Sequence, residues 1–179
     1  MRLNEVAHYS RGSIKDLLTQ RKTGIDTFII DKLKALIGGH KVYEFRYENL
    51  SSLEGLPHHL KYSLDVSDNK LQSLVGAPKI IDGELNIQDN PIYSLENIHH
   101  HIQAVRAINL DLSKINSHVL GLLKIKRLEN IYDNIPRASY PKWAKIIQEY
   151  IRKDHRSSED LFECQNVLIE ADLDEYAKL

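Results

Sequence analysis

The chain has one cysteine, Cys164, in 179 residues, so no disulfide can form within it. It has no long apolar run. No stretch approaches the ~20 residues needed to cross a hydrocarbon core, and the opening M-R-L-N-E-V-A-H-Y-S carries no signal-peptide core. These absences lead to the expectation of an intracellular, reducing compartment. An excess of charge of either sign is also missing. A formal net charge of -1 gives no global attraction to nucleic acid or to an anionic membrane, which leaves only local patches to examine. A glycine-rich phosphate loop is absent as well, because Gly38-Gly39 is not followed by G-K-[ST] and reads as a helix stop. What remains is an ordinary balance, 42% hydrophobic and 27% charged, in a chain of one-domain length able to bury about 70% of its unfolded surface.

Against that background one pattern recurs between Val42 and Ile125. The units are Y-E-F-R-Y-E-N-L-S-S-L-E-G-L-P from Tyr43, L-D-V-S-D-N-K-L-Q-S-L-V-G-A-P from Leu64, L-N-I-Q-D-N-P-I-Y-S-L-E-N-I-H from Leu85 and a looser I-N-L-D-L-S-K-I-N-S from Ile108. With Leu50, Leu71, Ile92 and Ile115 taken as equivalent, the spacings are 21, 21 and 23 residues. A fixed period of this length is the signature of a solenoid. Each unit reads as a short strand feeding a tight turn, which is the leucine-rich-repeat pattern, and no single strand can bury its apolar row without a stacked neighbour. The stacked rows are therefore expected to be Tyr43/Leu64/Leu85/Ile108, Phe45/Val66/Ile87/Leu110, Leu50/Leu71/Ile92/Ile115, Leu53/Leu74/Leu95 and Leu56/Ala77/Ile98. Asn69 and Asn90 follow the strands, where a short amide can bond turn backbone that the ladder leaves unsatisfied. Pro57 and Pro78 sit at equivalent places on the return limb, and His99 takes that place in the third unit.

The flanks read as helical. Ser13 is placed to cap a helix ending at Thr23-Gly24, and Asp26 a second that Gly38-Gly39 stops. After the fourth unit, S-H-V-L-G-L-L-K-I predicts a helix from Ser117, then a short strand around Leu128 to Tyr132. Trp143, Ile146, Ile147, Tyr150 and Ile151 recur at helical spacing and predict a helix from Pro141 to Asp154. Ser157 or Ser158 is expected to cap another, with Leu161, Cys164, Leu168 and Ala171 on one stripe joined by Phe162 and Ile169. Asp172 and Glu175 read as a reciprocal cap for a last helical turn. The expected architecture is α/β, one domain over 1–179. It comprises an N-terminal helical cap (1–41), a solenoid of about four rungs (42–125) and a C-terminal helical cap (126–179).

The motif L-x-S-L-x-G-x-P, present as L-S-S-L-E-G-L-P and L-Q-S-L-V-G-A-P, resembles the short leucine-rich-repeat proteins of tailed bacteriophages. V-L-G-L-L-K-I-K-R-L and C-Q-N-V-L-I-E-A-D-L-D-E-Y-A-K-L are similar to the terminal segments of such proteins, so the resemblance covers roughly Val42 to Leu179. It implies a phage protein made in the cytoplasm of an infected bacterial cell, and it implies no catalytic residue.

Several constellations invite chemistry. His58-His59 and His99-His100-His101 fall on the return limbs of the first and third units, yet rungs two apart lie ~10 Å apart, too far for easy co-ligation. No metal or cofactor is expected. Cys164 in E-C-Q-N lies on an apolar stripe, which marks a buried structural thiol and not a nucleophile, so the chain reads as non-enzymatic. Lys124, Lys126, Arg127, Arg137, Lys142, Lys145, Arg152, Lys153 and Arg156 form a basic segment interleaved with Trp143 and Tyr150, as a nucleic-acid-binding helix would be. The competing reading makes those aromatics core and those cations its solvated back, with the acidic residues from Glu159 to Glu175 offsetting them. The stronger candidate is the strand face. Alternation turns Glu44, Arg46, Tyr47, Asp65, Ser67, Asp68, Asn86, Gln88, Asp89, Asn109 and Asp111 outward. One arginine among five carboxylates suits a basic patch on a protein partner, and the resemblance makes a bacterial host or antiviral-defence protein the expected one. Simple solvation of an open face is the bland alternative.

Overall fold

A computed structural model describes residues 12–13, 42–153 and 156–179. The two helices expected over 13–23 and 26–38, and with them the N-terminal cap, lie outside the described residues, except that Ser13 is the second residue of a strand. The strands, in chain order, are β1 (Gly12–Ser13), β2 (Val42–Glu44), β3 (Leu50–Ser52), β4 (His59–Leu60), β5 (Ser63–Asp65), β6 (Ile80–Ile81), β7 (Glu84–Asn86), β8 (Ala107–Asn109) and β9 (Asn130–Tyr132). One parallel sheet runs β2-β5-β7-β8-β9, with Tyr43, Leu64, Leu85, Ile108 and Ile131 in successive register. Shorter parallel pairings recur on the return limb, β4 with β6 and then bridges from Ile80 to Ala104 to Lys126, and β1 pairs with β3. The chain is thus a parallel-strand β-solenoid of about four turns. Its sheet runs one strand past residue 125, because the short strand expected around Leu128 to Tyr132 is the fifth rung.

The apolar rows explain why the turns stack. Tyr43, Leu64, Leu85 and Ile108 are buried, as are Phe45, Val66, Ile87 and Leu110, and the rows through Leu50 and Leu53 follow. Leu56 alone stays half-buried. The motif's glycine has a steric cause. Gly55 and Gly76 have φ of 102° and 81°, and a Cβ on Gly76 would lie 2.3 Å from the Glu54 backbone nitrogen of the preceding turn. In the third unit Asn97 takes this place at φ 57°, using the tolerance of asparagine for the left-handed region.

Buried amides hold the turns in register. Asn69 Oδ1 accepts from Leu50 N–H at 2.9 Å, while its Nδ2 donates to the carbonyls of Phe45, Val66 and Ser67. Asn90 repeats this one turn on, accepting from Leu71 N–H and donating to Val66, Ile87 and Gln88. The fourth unit has no such amide. There Leu112 is fully buried and its N–H goes to the Asp133 carboxylate at 2.8 Å.

Beyond the fourth unit a 3₁₀ turn over Leu120–Lys124 replaces the helix expected from Ser117. Ser117 is committed to a bridge with Ser94, and His118 sits at φ 60°, so neither can start a helix. Among the described residues the helices are α1 (Ile98–His101), α2 (Lys142–Ile151) and α3 (Ser158–Glu170). α2 buries Trp143, Ile147, Tyr150 and Ile151, and Trp143 stacks on Tyr176 with ring centroids 5.8 Å apart. Its Gln148 Oε1 accepts from Ile131 N–H and its Nε2 donates to Glu129 C=O, which occupies backbone groups of the last strand that would otherwise template further pairing.

α3 opens on a capping box in which Ser157 and Asp160 bond reciprocally. It buries Cys164 and Leu168, but Phe162 and Ile169 are 65% and 45% exposed, so they do not belong to the stripe. Asp172 does not begin a new helical turn with Glu175. It ends α3 at φ 59°, with Asp172 N–H bonded to Ile169 C=O and Leu173 N–H to Leu168 C=O, a Schellman termination. No helix among the described residues is long and apolar enough to cross a membrane.

Candidate functional site

The outward face of the five-stranded sheet carries most of the residues singled out by alternation, though not all in the expected role. Glu44, Arg46, Tyr47 and Asp89 are exposed, and Asp65, Asp68, Asn86, Asn109 and Asp111 are partly covered. Ser67 and Gln88 are 3% and 4% exposed and do not face solvent. The strands end at Asp65 and Asn86, so alternation no longer governs residues two further on. Ser67 folds back so that its N–H and Oγ both donate to Asp65 Oδ1, at 3.0 and 2.7 Å. Gln88 donates to Asp133 Oδ1 across two rungs. Asn109 Oδ1 is shielded with no donor among the described residues.

The face is also less acidic than its letters imply. Lys114, which sequence reasoning passed over, bonds Asp111 at 2.8 Å and lies 3.9 Å from Asp89, and the Asp111 hydrogen bond raises its pKa. Asp111 further accepts from Asp89 N–H. The place of Lys114 in the repeat is that of Lys70 in the second unit, directly before the Leu71/Ile115 row.

The first rung differs from its neighbours. Tyr47, Asp68 and Asp89 occupy equivalent turn positions with φ of 58°, 57° and 54°. Aspartate tolerates that region, whereas a tyrosine there costs roughly 1–2 kcal/mol. Tyr47 is nonetheless 68% exposed, so no burial offsets the strain. Its ring lies under the Arg46 guanidinium at 5.2 Å, and Arg46 Nη2 donates both to Tyr47 Oη at 3.3 Å and to Asp68 Oδ2 at 3.1 Å. The Asp68 hydrogen bond raises the Arg46 pKa. The pair is held as a unit at the rim of the strand face.

No family model, curated protein or solved structure matches the chain.

The remaining constellations resolve one by one. His59 Nε2 lies 2.9 Å from Asp82, whose other oxygen takes Arg127, and these two partners hold the Asp82 carboxyl below the usual range. The His99–His101 run forms the short α1 and is not in register with His59, whose ladder partner is Ile80. Burial lowers the pKa of His99 and His101. No group of three or more histidine, cysteine, aspartate or glutamate side chains among the described residues could hold a metal ion. Cys164 is buried, which pushes its thiol up to about 12 and away from the thiolate needed for attack. In the basic segment, Trp143 and Tyr150 are core. Lys142 and Lys145 donate to the Ala171 and Ala138 carbonyls, and Lys153 pairs with Asp160 and Glu163 while lying 4.3 Å from the Tyr150 ring centroid. The basic helix therefore presents no aromatic stacking surface, and three of its cations are already engaged.

Proposed function

We propose that this chain is a non-enzymatic leucine-rich-repeat module of the tailed-phage type, closed at its C-terminal end by α2 and α3. It binds a bacterial host or antiviral-defence protein through its strand face. The repeat assignment is supported by the period, the buried asparagines and the left-handed glycine turn. The phage setting is supported by the sequence resemblance alone.

The binding reading rests on Tyr47. Strained exposed residues persist where they serve a purpose other than stability, and tyrosine and arginine are the side chains most enriched at the energetic centres of interfaces. Arg46 and Tyr47 are pre-ordered against Asp68, which lowers the entropy lost on docking. Neighbouring Glu44, Asp65 and Asp89 add negative potential for a cationic rim on the partner.

Tyr47→Asn separates stability from binding. Asparagine accepts the left-handed turn, so the variant should melt no lower than the parent and gain up to about 1 kcal/mol. Capture of a stoichiometric bacterial protein by the immobilised parent at moderate salt should be lost in Arg46→Ala/Tyr47→Asn and kept in Lys142→Glu/Lys145→Glu. Equal capture by the parent and the Arg46/Tyr47 variant would remove the pair from the interface.

A further inference from the structure

At the other end of the solenoid, a cleft of about 580 Å³ opens between residues 123–127 and the start of α3. Lys124, Lys126, Arg127 and Arg156 line it, and none of the described lining residues is acidic. Lys124 and Lys126 are exposed and form no ion pair among the described residues. Arg127 spends Nη2 on Asp82 at 3.1 Å. Arg156 donates Nη2 to Ile125 C=O at 2.7 Å, which fixes the guanidinium in the wall, while its Nη1 has no acceptor among the described residues. Burial lowers the Arg156 pKa.

The chemistry around these cations favours an anion of defined size. The capping box uses the Asp160 N–H, leaving the Ser158 and Glu159 amides at the α3 start without acceptors among the described residues. Of the two carboxylates in that turn, Asp160 is already taken by Ser157 and Lys153, and Glu159 is exposed. Leu123 and Leu161 supply an apolar wall. The volume falls in the range of small-ligand sites, roughly 300–1,000 Å³.

We propose that this cleft binds a phosphate monoester, its dianion held by Lys124, Lys126 and Arg156 and its carbon part laid against Leu123 and Leu161. Guanidinium geometry matches phosphate oxygens, and several converging cations suit a dianion better than a single carboxylate. A polynucleotide fits less well. The adjoining α2 lysines, Lys142 and Lys145, are turned to backbone carbonyls and do not extend the cleft's charge along that helix.

The test is a ¹H–¹⁵N NMR titration of the full chain at constant ionic strength, using inorganic phosphate, adenosine monophosphate, sodium chloride and a short single-stranded oligonucleotide as separate probes. Phosphate and the monophosphate should shift the amides of 124–127 and 158–159 saturably, the monophosphate more tightly, and chloride should not. Lys124→Ala/Lys126→Ala should weaken both on the order of tenfold or more while leaving distant resonances in place, which shows the fold intact. Shifts scattered over the surface, equal effects of chloride, or parental affinity in the double variant would overturn the proposal. Binding of the oligonucleotide through these residues without binding of either small phosphate would overturn it in favour of a nucleic-acid surface.

Discussion

Asn69 and Asn90 show how much one side chain can carry in a fold built of three-residue strands. Each closes bonds to two turns at once, and each is almost fully buried. In Asn90→Leu the Leu71 N–H loses its acceptor and three carbonyls lose a donor, with no new cavity to fill. The fourth unit has Ser113 at this place, and there the next rung's Asp133 carboxylate supplies a different bond, accepting from Leu112 N–H. Asn90→Leu should therefore destabilise the chain by roughly 1–3 kcal/mol, read as a lower urea midpoint with an unchanged slope. An unchanged midpoint would take the amide out of the ladder. These residues were legible from sequence because the same letter recurs at the same interval. Ser67 and Gln88 were not, because their inward turn is made by side-chain hydrogen bonds after the strand has ended.

At the scale of elements, apolar spacing located the C-terminal helices well and one of their faces poorly. In α2 the buried residues fall within ~60° of Ile147 around the helix axis, apart from Gln148, whose burial is explained by its bonds to the last strand. In α3, Phe162 and Ile169 lie ~140–160° from Cys164, so their hydrophobicity does not place them on the stripe that Leu161, Cys164 and Leu168 define. The fifth strand was recognised as a strand but not as a rung, since its unit keeps Ile131 and little else of the repeat. Ile147 is 0% exposed and faces the end of the solenoid. Ile147→Asp should bury a carboxylate with no partner and unfold the C-terminal third. Loss of near-ultraviolet dichroism from Trp143, with most of the far-ultraviolet signal kept, would show it. A normal melt would mean that α2 does not pack as described.

For the whole molecule, the two proposed sites sit on opposite ends of a solenoid whose rungs stand ~4.8 Å apart. Four steps separate the first strand from the last by ~19 Å, about twice the Debye length at physiological salt. Arg46→Ala/Tyr47→Asn and Lys124→Ala/Lys126→Ala share no contacts, so their effects on stability should add within about 0.5 kcal/mol. Their effects on binding should separate completely. The first pair of changes should abolish partner capture and leave the adenosine monophosphate titration as it was, and the second should do the reverse. A partner that is lost from both double variants would mean that one long surface, and not two sites, spans the rungs. Captured partner bound more tightly in the presence of saturating monophosphate would show that the ends are coupled, and the reciprocal gain in nucleotide affinity would have to match it. Past the nearest rung the described bonds are single side-chain links such as Gln88 to Asp133 and Arg127 to Asp82, so the expected coupling is small.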